Sequence, residues 1–198
     1  MLSPLSIIHE ALDESARVKA SLKEQAPEIL ELARRVADAY RAGNRVYACG
    51  NGGSACDAMH LVEELVARYK RDRPGLAAHH LLDPATITCW GNDYEFETIF
   101  QRQVESMVRA GDVLVAISTS GNSPNVLRAV EAARERGAVT VGLTGKDGGR
   151  MRELCTQTLV VPGNATERIQ EGHITVIHLV CELVERMLFG DLNDTQPD

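Results

Sequence analysis

The sequence predicts an α/β fold, a three-layer αβα sandwich around a parallel sheet of about five strands, with N-terminal helices added. Three observations predict it. Short β-like apolar runs recur at 46–49, 113–117, 139–143 and 158–161, with a weaker one near 77–82. Helix-length segments lie between or after them at 55–69, 96–109, 124–136 and 166–189, with a short turn at 149–154. Strands that alternate with helices pair in parallel through right-handed crossovers, which places helices on both faces of the sheet.

The leading segment carries Ile8, Leu12 and Val18 as a first amphipathic helix. A second follows with Ile29, Ala33, Val36 and Tyr40, opened by Pro27 in its first turn and stopped by Gly43. Residues 1–43 are therefore read as N-terminal helices, 44–190 as the α/β domain and 191–198 as a polar tail. The apolar faces of the leading helices and of the last helix (Ile174, Ile177, Cys181, Val184, Leu188) have two possible partners, the sheet or a helix bundle between chains.

At 198 residues and 44% hydrophobic, the chain suits one domain with a helical extension and a continuous core. Aromatic residues are 4%, so Ala, Val, Leu and Ile must build that core. The net charge of −7 argues against a general nucleic-acid binder. No apolar stretch reaches the length of a membrane span, and the N-terminus lacks the basic start of a signal peptide. Cys49, Cys56, Cys89, Cys155 and Cys181 include no C-x-x-C pair and read as reduced thiols. The expected location is the cytoplasm.

In open α/β sheets ligands bind beyond the carboxyl ends of the strands. After the first run comes Gly50-Asn51-Gly52-Gly53-Ser54, directly before a helix. Its glycines permit close approach and its free amides face an anion or hydroxyl, although an ordinary tight turn has the same composition. After 113–117 comes Ser118-Thr119-Ser120-Gly121-Asn122-Ser123-Pro124. A capped helix start needs one hydroxyl. Four here, with helix amides, point to a neutral phosphate cradle. No Gly-Lys-Ser/Thr follows, so it is not a P-loop.

His60 and Glu64 are four apart and share a helix face, suited to a metal or an acid/base pair, although such spacing more often marks a solvated pair. Further on, Gln170 and His178 lie eight residues apart. On one straight helix that is ~12 Å of rise and about 80° of rotation. For both to serve one site, the helix must bend or begin late, or a second subunit must supply one of them. His178, on the apolar face, also has the bland reading of a core histidine satisfied by a carbonyl. Asn92 and Asp93 follow the 86–90 run, as a turn or as groups facing the strand ends.

With these pieces in place, the sequence closely resembles the phosphoheptose (sedoheptulose 7-phosphate) isomerases of the SIS-domain superfamily. The matching stretches are GNGGSACDAMHLVEEL (50–65), RP (73–74), GND (91–93), GDVLVAISTSGNSPNV (111–126), GLTGKDGG (142–149) and RIQEGHITVIH (168–178). The resemblance implies sugar contacts from Asn51, Gly52, Gly53, Asn92 and Asp93, and a phosphate cradle of Ser118, Thr119, Ser120 and Ser123. It implies a zinc site at His60, Glu64, Gln170 and His178, with Glu64 and His178 as the catalytic pair and Glu64 and Gln170 touching substrate. It further implies a homotetramer with active sites between subunits, acting through an enediol in heptose biosynthesis for bacterial surface polysaccharide. Two positions depart from the family pattern, Glu167 where Asp is expected and Glu95 where Gly is usual. The competing expectation is a non-catalytic SIS-domain protein that binds a partner such as the replication initiator DnaA. Retention of both Glu64 and His178 separates the two.

Overall fold

A computed structural model describes residues 3–190; the 191–198 tail lies outside the described residues. Five strands, β1 (Val46–Gly50), β2 (Ala78–His80), β3 (Val113–Ser118), β4 (Val139–Gly145) and β5 (Gln157–Val161), form one sheet in the order β2-β1-β3-β4-β5. Every neighbouring pair is parallel. Among the described residues, eight α-helices accompany them: α1 (Pro4–Ser21), α2 (Ala26–Arg41), α3 (Gly53–Val66), α4 (Pro84–Asp93), α5 (Ile99–Met107), α6 (Pro124–Glu135), α7 (Met151–Leu154) and α8 (Thr166–Phe189).

Alternate side chains of each strand enter opposite layers, as the pleat requires. Val113, Val115 and Ile117 join Ile29 and Leu32 of α2, Leu61 and Leu65 of α3, and Val176, Ile177 and Val180 of α8. Leu114 and Ala116 join Phe100 and Val104 of α5 with Val126 and Val130 of α6 on the other face. The sandwich is therefore as expected, and α2 and α8 bury their apolar faces on the sheet. α1 does not. Of its three expected apolar positions only Val18 is buried, while Leu5, Ile7, Ile8 and Leu12 are 66, 54, 52 and 63% exposed.

Two segments differ from expectation. The 96–109 helix begins with a 3-10 turn at Phe96–Thr98 before α5. α4 was not expected as a helix, because none of its residues is buried and no apolar stripe marks it. It owes its start to Asp83, whose side chain accepts from the Thr86 amide, and to Pro84 in the first turn.

One core histidine bears on stability. His173 is fully buried, and its Nε2 lies 2.9 Å from the Thr144 carbonyl, which makes that nitrogen the donor. Burial pushes its pKa from 6.5 down to about 4. The folded value is below the unfolded one, so the contribution is full above about pH 6.5 and is lost as pH falls toward 4. His173→Gln keeps a donor for Thr144 and removes the titration. Urea unfolding should show wild type losing about 3 kcal/mol relative to this variant across that window. A constant difference would contradict the assignment. Asp57, pushed up to about 6 by burial, changes stability in the opposite sense but equally in both proteins.

Candidate active site

The chain passes from β1 outward to β2 and then back across β1 to β3, so the strand order reverses between β1 and β3. A crevice opens at the carboxyl ends of the strands at such a point. Both loops singled out in the sequence meet there. The Gly-rich turn leaves β1 through Gly52, at φ +55°, and enters α3 at Gly53. The hydroxyl-rich loop leaves β3 and enters α6 at Pro124. Asn51 and Asn125 join the loops with a reciprocal amide pair at 2.8 and 2.9 Å. Asn125, 3% exposed, had no sequence signal beyond its place in the helix start.

Within the second loop Ser118 Oγ lies 2.9 Å from Ser123 Oγ and 3.5 Å from Ser120 Oγ. Thr119 and Ser120 are half-buried beside them. The loop is braced by the segment after β4. The Met151 amide donates to the Gly121 carbonyl at 3.1 Å, and Asn122 Oδ1 accepts from the Arg150 amide at 3.0 Å. Gly121, at φ +64°, presses against the backbone of Gly148 so closely that no Cβ fits. Rigid bracing holds the hydroxyls of Ser118, Ser120 and Ser123 in one place.

Asn92 and Asp93 end α4, both exposed, with Asn92 Nδ2 donating to Asp93 Oδ1 at 2.8 Å. They are helical residues rather than a turn. Glu95 adopts φ −122°, ψ 137°, extended backbone open to any residue, so the usual Gly is not required there. Glu167 is exposed in the first turn of α8.

The ionisable residues gather elsewhere. His60 Nε2 lies 3.2 Å from Glu64 Oε1 on α3 and 3.1 Å from His178 Nε2 on α8. The Tyr69 ring stacks on His178, centroids 5.8 Å apart. Thus His178 faces another imidazole, and the core histidine satisfied by a carbonyl is His173 instead. Asp57, one turn before His60, is buried with Oδ2 lacking a partner, a neighbour the spacing did not single out. Tyr69 was equally missed.

Among the described residues, His60, Glu64 and His178 are the acidic, Cys or His side chains able to hold a metal, with ligand atoms all within 4.8 Å of one another. Two ligands on one tetrahedral zinc, each ~2.0–2.1 Å from it, are about 3.3 Å apart. The 3.1 and 3.2 Å separations and the two-imidazole, one-carboxylate donor set fit such an ion. Gln170 is not with them. Its amide packs against Gly53 at the head of α3, where it leaves no room for a Cβ. α8 is one helix from Thr166 to Phe189, so Gln170 and His178 part by the rise the eight-residue spacing requires.

Two groups of residues result within one protomer. Asn51, Gly52, Gly53 and Gln170 lie at the crevice near the serine loop. His60 and Glu64 sit seven and eleven residues along α3 from Gly53, ~10 and ~16 Å away.

Comparison with known proteins gives a consistent picture. Residues 12–145 match the SIS domain family. A phosphoheptose isomerase of Pelobacter propionicus is 52% identical over 169 residues, spanning 85% of this chain and 89% of that one. Another, of Akkermansia muciniphila, is 51% identical over 171 residues, 86% and 90% of the two chains. Among solved structures, the phosphoheptose isomerase GmhA of Neisseria gonorrhoeae superposes with a TM-score of 0.88 at 38% identity, over 93% of this chain and all of that one. A phosphoheptose isomerase of Francisella tularensis superposes at 0.90 with 33% identity and the same coverage.

Proposed function

The chain belongs to the phosphoheptose isomerase family of SIS-domain proteins, and from that premise we propose how its own residues carry out the reaction. It is an aldose-ketose isomerase that converts sedoheptulose 7-phosphate to D-glycero-D-manno-heptose 7-phosphate. The observation that carries the mechanism is the convergence of Glu64 and His178 through His60.

Glu64 removes the proton from the carbon beside the ketone and returns it to the neighbouring carbon, while His178 protonates and deprotonates the oxygens of the enediol. The four hydroxyls of Ser118, Thr119, Ser120 and Ser123, with the amides opening α6, grip the phosphate and orient the reacting carbons. Asn51, Gly52, Gly53, Asn92, Asp93 and Gln170 line the path for the sugar hydroxyls. Zinc held by His60, Glu64 and His178 would supply Lewis-acid stabilisation of negative charge on oxygen.

Because the two groups of residues lie apart along α3, the working site takes its phosphate cradle from one subunit and its proton-transfer pair from another, in a homotetramer. Gln170 of a neighbour then completes the ligand set. The exposed apolar face of α1 and an apolar cavity of about 450 Å³ lined by Leu22, Ile29, Leu30, Leu179 and Leu183 support packing of the 1–43 helices between subunits. We read the enzyme as cytoplasmic, serving heptose for surface polysaccharide, and binding neither nucleic acid nor membrane. No described helix is long and apolar enough to cross a bilayer.

Incubation of the protein with sedoheptulose 7-phosphate should yield the aldose phosphate, identified by nuclear magnetic resonance. Chelation should lower turnover and zinc should restore it. Absence of product sinks the reaction, and indifference to chelation removes the metal.

A further inference from the structure

Arg73 and Glu185 form an ion pair at 3.0 Å in which both side chains are 2% exposed. Such a pair is weak evidence for stability, because apolar residues of similar volume often serve as well. Its contacts indicate another use. The Arg73 fork donates through Nη2 to the Glu64 carbonyl and through Nη1 to the Leu65 carbonyl, each at 2.8 Å, and caps the end of α3 that carries Glu64. Glu185 accepts from the Tyr69, Lys70 and Arg71 amides at 2.9, 2.9 and 3.1 Å. Tyr69 is the residue whose ring stacks on His178. Glu185 itself lies seven residues beyond His178 on α8, two turns on and on the same face.

Thus one buried pair touches the backbone of the base, the ring support of the acid, and the helix that bears the acid. We propose that Arg73 and Glu185 are positioning residues that set the separation of Glu64 and His178 for proton transfer. This inference rests on the isomerase reading above. Only Arg presents a planar fork able to hold a carboxylate and two carbonyls at once, so Lys is not an equivalent.

The test compares Arg73→Lys, Glu185→Gln and the double variant Arg73→Met/Glu185→Leu with wild type in the full chain. Melting temperature and oligomer size report folding, and kcat and KM are measured with sedoheptulose 7-phosphate. Ring resonances of His60 and His178 are recorded in chelator. A displacement near 1 Å costs on the order of 10²-fold in rate. Arg73→Lys should lose about that factor in kcat with KM nearly unchanged, since the phosphate cradle is untouched. The double variant leaves no unpaired buried charge but strips five backbone groups of these partners, so it should fold with a lower melting temperature and still lose kcat. In both, the His178 resonances should shift.

A folded double variant with wild-type kcat and unshifted rings overturns the proposal. So does a fall in kcat that only follows the fraction unfolded. If the double variant does not fold, Arg73→Lys decides by the same readings. If wild type itself turns nothing over, the isomerase reading fails, and the His178 resonances alone judge the positioning.

Discussion

Glu64→Gln is expected to lower kcat by about 10³-fold with little change in KM, within the range assigned to general acid-base groups. The amide has the size of the carboxylate and can still accept from His60, so the 3.2 Å contact survives. Glu64 is half-buried, and its side chain is 16% exposed, so a neutral replacement introduces no unpaired charge. What disappears is the capacity to take a proton from carbon. His178→Gln should cost a comparable factor, and the two losses should not add, because they belong to one proton relay. Steady-state kinetics on variants whose oligomer size matches wild type by size-exclusion chromatography check this. A Glu64→Gln enzyme with more than a tenth of wild-type kcat would remove Glu64 from the chemistry, leaving it a structural ligand.

The second large effect concerns assembly. Glu64→Gln subunits lack the base, and Ser118→Ala/Ser120→Ala/Ser123→Ala subunits lack the cradle, so each alone should be inactive. With the cradle drawn from one protomer and the base from its neighbour, co-assembled chains regain intact sites. Random mixing in equal amounts restores about one site in four, a signal far above either parent. If both sets came from the same protomer, every site would carry a lesion and mixing would restore nothing. Activity of the co-expressed, doubly tagged and purified assembly gives the answer, and no recovery would place the whole site in one chain.

Much of this architecture was legible. The β1, β3, β4 and β5 runs and the span of α8 follow from buried strands and from one long apolar stripe, signals that are local in sequence. α4 escaped because a helix with no buried residue has no stripe to read. Its Asp83-Pro84 start was the available sign. The His60–Glu64 contact followed from helical spacing, but its meeting with His178, 118 residues away, did not. That contact depends on α3 and α8 packing on the same face of the sheet, which no local pattern encodes. Arg73 and Glu185 are hidden for the same reason, at a separation of 112 residues. The eight-residue interval between Gln170 and His178 was more informative. It required the two to part on a straight helix, and the single uninterrupted helix of the structure parts them. For the Asn51–Asn125 pair, the crossing order of β1 and β3 had to be known first.

The mutual bonding of Ser118, Ser120 and Ser123 bears on turnover. A hydroxyl both gives and accepts, so serines that bond to one another can exchange those partners for the oxygens of an anion. If the loop takes the phosphate as proposed, an arriving anion takes up these partners and a departing one returns them to one another. Precursor and product carry the same phosphate, so that exchange would serve binding and release alike.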